Sequence, residues 1–163
     1  MGSIMRTGLY IGMLVAAAQS VQPAAGLDLG QAEIVVGIME AHVEVSGESI
    51  YHGGAGDVFE YDMEGDGVIA AAGFAYESWV AAYDAVMNGY LANIPQEEFD
   101  AAFSGALARL DGMDSLSDEQ KAEIRREMEP HVAAAEEARR EGAVDAALIE
   151  PLMPRLRAVV GGN

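Results

Sequence analysis

The run Tyr76-Glu77-Ser78-Trp79-Val80-Ala81-Ala82-Tyr83-Asp84-Ala85-Val86-Met87-Asn88-Gly89-Tyr90-Leu91 sets the architecture of the chain. Tyr76, Trp79-Val80, Tyr83, Val86-Met87 and Tyr90-Leu91 recur at steps of three and four, which places them on one broad apolar face of a helix. Alanines on the other side (Ala75, Ala81, Ala82, Ala85) imply a helix covered on more than one flank. Downstream, Asn93-Ile94-Pro95-Gln96-Glu97-Glu98 ends this helix and begins another, because proline suits a first turn and carboxylates suit the positive helix end. Phe99, Phe103, Ala106-Leu107 and Leu110 form the stripe of that second helix, which Asp111-Gly112 closes.

Further along, Ser117-Asp118-Glu119-Gln120 has the form of a capping box: the Ser117 hydroxyl accepts from an orphan amide and Gln120 reaches back. The helix it opens is polar, with Ile124 and Met128 as its main apolar contacts. Pro130 removes a backbone donor, so a kink or break is expected near Glu129. Helix resumes over Ala133 to Arg140, and Gly142 is the expected terminator. Val144, Leu148-Ile149, Leu152, Leu156 and Val159 make a last apolar helix, interrupted by Pro151 and Pro154.

Upstream of Val68 the pattern changes. Ile34-Val35-Val36, Ile38-Met39 and Val43 fit one side of a helix from about Asp28, whereas Val43 and Val45 alternate with His42 and Glu44 as a strand does. Ser49-Ile50-Tyr51-His52 and Val58-Phe59-Glu60-Tyr61 flank the glycine-rich loop Gly53-Gly54-Ala55-Gly56-Asp57, which reads as a β-hairpin. A hairpin is marginal alone and needs a helix to lie on. The expected fold is therefore mainly α: a small bundle of four or five helices with an N-terminal β-hairpin, in a single domain over residues 27–163.

Residues 1–26 read as an export signal. Arg6 precedes the apolar run from Gly8 to Ala18, and Pro23 stands before the small residues Ala24-Ala25-Gly26. Cleavage near Ala25-Gly26 would release a periplasmic or secreted protein; the alternative is a first helix packed on the core of a cytoplasmic one. The run is shorter than the about 20 apolar residues that span a bilayer.

The 163 residues carry 27 Asp plus Glu against 9 Lys plus Arg, a formal charge of −18, and 51% of them are apolar. That apolar share suits a folded domain, and a chain of this length buries roughly two-thirds of its unfolded surface. The charge repels phosphate, which argues against nucleic acid and anionic membrane surfaces as partners and for a cationic protein or metal ion. The absence of cysteine removes disulfides, thiolate nucleophiles and zinc-thiolate sites.

The densest polar cluster lies at residues 57–66. Asp62-Met63-Glu64-Gly65-Asp66-Gly67-Val68-Ile69 resembles the first half of an EF-hand calcium loop, with oxygens at alternate positions, a glycine for the turn and then an apolar residue. The resemblance implies Asp62, Glu64 and Asp66 as ligands and calcium as the ion; Gly73 stands where that loop needs a bidentate glutamate. Leu116-Ser117-Asp118-Glu119-Gln120 is similar to the Leu-Thr-x-x-Gln motif of small helical periplasmic stress chaperones. Those chaperones have a basic cradle and this chain is acidic, so the motif is read as a helix start. His42, His52 and His131 lack the helical spacing of metal ligands, although His52 with Asp57 or Glu60 could in principle supply one. His52-Gly53-Gly54 has no Gly-x-Ser-x-Gly elbow to serve, and Gly54-Ala55-Gly56 lacks the third glycine of a dinucleotide loop.

The rings of Tyr51, Phe59 and Tyr61 on the hairpin and Tyr76, Trp79 and Tyr83 on the long helix face one another in this reading. They form a core with polar tips and are the expected partner- or ligand-binding set. The leading expectation is a secreted or periplasmic non-enzymatic binding or accessory protein for a cationic partner, without a cofactor. The alternatives are a calcium- or metal-binding protein using the acidic loop, and an inhibitor or immunity-type protein against a basic partner.

Overall fold

A computed structural model describes residues 26–160, so the proposed export signal, apart from Gly26, lies outside the described residues. The elements in chain order are α1 (Leu29–Ser46), α2 (Ala55–Glu64), α3 (Val68–Ala71), α4 (Tyr76–Asn93), α5 (Gln96–Asp111), α6 (Asp118–Gly142), α7 (Ala146–Ile149), a 3-10 turn (Glu150–Leu152) and α8 (Met153–Val160). No strand occurs among the described residues, which corrects two expectations: the N-terminal β-hairpin and the total of four or five helices. None of the described helices is long and apolar enough to cross a membrane.

The expected hairpin fails for a local reason. Gly53 takes a left-handed φ of 86°, and the chain turns there into α2 instead of back along itself. The Val58 amide donates to the Gly54 carbonyl at 3.1 Å, starting the helical ladder. Asp57 stands in the first turn, where the helix dipole favours a carboxylate. Val58, Phe59 and Tyr61 prefer strands by propensity, but Ala55 and Val58, one helical step apart, are both buried in the core. Likewise Val43 and Val45 belong to α1, which runs on to Ser46 and stops at Gly47 with φ 73°. The strand reading of that pair is corrected too.

Other boundaries follow the sequence closely. Asp28 and Gln31 cap α1 reciprocally, and Ser117 and Gln120 do the same for α6. α6 continues through Pro130 without interruption, so the break expected near Glu129 is absent. Proline's missing donor leaves the Arg126 carbonyl without its helical partner; Arg126 and Pro130 are both exposed, where water can take that role. Pro151 and Pro154 divide the last apolar segment into α7, the 3-10 turn and α8.

The core forms around α4. Trp79, Tyr83, Val86 and Met87 meet Val35, Val36 and Met39 of α1, Val58 of α2 and Ile149 and Leu156 from the C-terminal segment in one buried cluster. The largest interface joins α4 to α6, and it is built on glycine. A Cβ at Gly142 would overlap the carbonyl group of Asn88; at the adjoining contact of α4 with α7, one at Gly89 would stand 2.6 Å from Ile149 Cγ1. Beside this crossing Arg139 donates to the Leu91 and Ile94 carbonyls, each at 2.8 Å, and lies 4.5 Å over the Phe99 ring. One side chain thus closes the end of α4 and holds the start of α5. Two bidentate ion pairs complete the frame, Arg155 with Glu40 of α1 and Arg157 with Glu98 of α5.

Two outcomes follow from these contacts. Alanine is the better helix former, yet Gly142→Ala should destabilise the protein by about 1–3 kcal/mol, because its methyl group meets backbone. The measurement is urea unfolding, with a lowered midpoint at unchanged slope; an unchanged midpoint would contradict the close approach. The Arg155 hydrogen bonds hold the Glu40 carboxyl below its ordinary value of 4.5, against the opposing effect of burial. A depressed carboxylate contributes stability above its unfolded value and loses it as pH falls through the folded one. Both side chains are 39% exposed, so the contribution is under about 1 kcal/mol. The stability difference between the native protein and Glu40→Gln should be full at about pH 7 and shrink once pH drops below about 4.5. A difference that persists undiminished at about pH 3 would contradict the pairing.

Candidate functional site

The six rings expected to bind a partner do not share one site. Trp79 and Tyr83 are fully buried, with ring centroids 5.7 Å apart and Phe74 5.9 Å from Trp79. Their polar tips are satisfied inside the protein: the Trp79 indole N–H donates to the Ala55 carbonyl at 2.9 Å, and the Tyr83 hydroxyl donates to the Tyr51 carbonyl at 2.7 Å. Burial pushes the Tyr83 phenol well above the ordinary tyrosine range. These two residues are core and leave no surface for a ligand.

The remaining four rings separate because α2 is a helix, which distributes its side chains around an axis. Phe59 packs edge-on against Tyr76 at 5.1 Å. Tyr51 is exposed and hydrogen-bonds Asp57. Tyr61 meets His42 of α1 edge-on at 4.9 Å. Only Tyr61, of the six, lines the apolar concavity described next.

That concavity is a groove of about 360 Å³ between α1 and the α2–α3 segment. Ile38, Ala41, His42 and Val45 supply the α1 wall; Val58, Tyr61 and Val68 supply the other; Asp62, Glu64 and Asp66 also line it. Its volume lies at the small end of the range for ligand sites. Val45 is 72% exposed, Tyr61 43% and Val68 40%, so large apolar surface faces water. The sequence reading set Tyr61 against the rings of α4 and the three carboxylates in a separate metal loop, and it missed the α1 wall. A signal was present: Ile34, Ile38, Ala41 and Val45 follow one another at steps of four, three and four.

The acidic loop serves the fold first. The Asp62 carboxylate accepts from the Val68 amide at 2.8 Å and from the Ile69 amide at 3.0 Å, one oxygen for each. It therefore caps the start of α3 across the turn at Gly65–Gly67. No group of three potential metal ligands comes together among the described residues, so Asp62, Glu64 and Asp66 are not gathered as the calcium-loop resemblance implies.

His52 is engaged elsewhere than with Asp57 or Glu60. Its Nε2 lies 2.9 Å from Asn88 Oδ1, and Asn88 Nδ2 donates to Glu141 at 3.4 Å. The Asp84 carboxyl is raised by burial, an effect that the charge of His52 opposes. These groups tie the loop before α2 to α4 and α6. No protein-family model, curated protein or solved structure matches this chain.

Asp62→Ala should cost about 1–2 kcal/mol, since two amides lose their acceptor, and Asp62→Asn should cost less. Thermal unfolding with and without millimolar calcium should give one melting temperature for the native protein. A calcium-dependent rise would restore the metal reading.

Proposed function

We propose that this chain is a non-enzymatic binding or accessory protein that captures a cationic partner, and that it works outside the cytoplasm. The observation that carries the reading is the segregation of charge. Residues 27–108 contain fifteen carboxylate side chains and no Lys or Arg. Among the described residues only Glu40 and Glu98 of these form an ion pair with an arginine. Every Lys and Arg from residue 27 onward lies at or beyond Arg109. One end of the chain therefore makes a field of a single sign, which accelerates and orients the approach of positive surfaces and turns away negative ones. The location outside the cytoplasm rests on the signal-like order of residues 1–26.

Binding of a fluorescent oligolysine, read by anisotropy at several salt concentrations, tests this. The expected result is saturable binding that weakens steeply with salt, and none for oligoglutamate. Neutralising Glu44, Glu64 and Asp66 to their amides should lower the affinity at least tenfold, about 1.4 kcal/mol. The same change at Glu119, Glu123 and Glu127 of α6 should matter less than twofold. Equal losses from both sets would reduce the effect to bulk charge and overturn the reading.

A further inference from the structure

α1 carries more apolar surface than the core uses. Ala32, Val35, Val36 and Met39 point into the buried cluster. Beside that face runs a second one: Ile34, Ile38, Ala41 and Val45, in the four-three-four spacing of a helix–helix seam. Ile38 is covered, but Ile34 is 45% exposed and Val45 72%. A helix with apolar residues on adjoining faces normally has both covered. Here the second face ends in the groove against Tyr61 and Val68, so among the described residues a hydrophobic seam is left uncovered beside the carboxylates of α2 and the turn after it.

The charge around the seam selects its occupant. Glu44 on α1 and Asp62, Glu64 and Asp66 opposite are all acidic, and no Lys or Arg occurs anywhere in α1 to α4. A second copy of this chain would bring carboxylates against carboxylates, which disfavours self-association. A partner with cations beside its apolar stripe satisfies both features. Resting on the cationic-partner reading above, we infer that the α1/α2–α3 groove receives one face of an amphipathic, lysine- or arginine-bearing helix. Its apolar residues lie along Ala41, Val45 and Val68, with its cations toward Glu64 and Asp66. This is helix-in-groove recognition, in which anchors at steps of three and four supply the affinity.

The test uses the full-length protein and three labelled probes: an 18-residue amphipathic Lys/Leu helix, a scrambled peptide of the same composition, and oligolysine. The amphipathic peptide should bind at least tenfold tighter than the scrambled one. Val45→Ser and Val68→Ser should each remove most of that advantage while changing oligolysine binding less than twofold. Val45 is largely exposed, so its replacement leaves the fold intact, which circular dichroism checks. Equal affinities for the amphipathic and scrambled peptides, or indifference to both substitutions, would overturn the groove assignment and leave the cationic-partner reading standing if oligolysine still binds. Failure of all three probes would overturn both. Sedimentation showing a dimer that Val45→Ser dissolves would give the seam to a second copy and overturn the assignment as well.

Discussion

A buried indole N–H and a buried phenol O–H decide where α2 lies. Trp79 and Tyr83 sit one turn apart on α4, and each must find an acceptor inside the protein or forfeit about 1–3 kcal/mol. Both acceptors are main-chain carbonyls of the segment leading into α2, Tyr51 and Ala55. The pair fixes the entry to α2 as two pegs fix a hinge plate. The orientation of α2 then sets the far wall of the groove, so the shape of the proposed binding surface depends on contacts in the centre of the fold. Of the rings expected at the interface, Trp79 and Tyr83 act from beneath it.

Electrostatics and packing divide the chain at about the same place. The helices before residue 94 supply most of the core and carry acidic side chains alone; the arginines come later and are spent largely on joining elements. Arg155 and Arg157 reach back to α1 and α5, and Arg139 binds main-chain carbonyls at the end of α4. Neutralising two acids and closing one helix end leaves the negative field of the N-terminal helices almost intact. That arrangement stores self-repulsion that a compact hydrophobic core must offset.

Much of this was legible in the residues. The steps from Tyr76 to Leu91 identify α4, Ser117 with Gln120 marks the start of α6, and Asn93-Ile94-Pro95 marks the corner before α5. Over Ser49 to Tyr61 the sequence points to a hairpin because four residues such as Val58-Phe59-Glu60-Tyr61 satisfy alternation and helical spacing about equally. Tertiary contact of Ala55 and Val58 with α4 decided between them. The partners of Trp79 and Tyr83 could not be read, since main-chain acceptors 24 and 32 residues away leave no trace in side-chain identity. The seam on α1 was present in the spacing of Ile34, Ile38, Ala41 and Val45, but the local alternation of Val43 and Val45 masked it.

The pair formed by α5 and α6 has a different standing in the molecule. Phe99 and Leu110 are buried, yet neither belongs to the main cluster, and the first half of α6 buries no residue. α5 and the first half of α6 lean on a minor nucleus, and the pair is secured by the second half of α6 against α4, by the Arg139 clasp and by the Arg157–Glu98 ion pair. An arrangement of this kind favours two cooperative units of unequal strength. Amide protons from about residue 100 to residue 135 should then exchange through a low-energy opening in which α4 keeps its protection. The groove between α1 and the α2–α3 segment would survive that excursion untouched, leaving the outer part of α5 and α6 free to breathe, be clipped or be remodelled on its own clock.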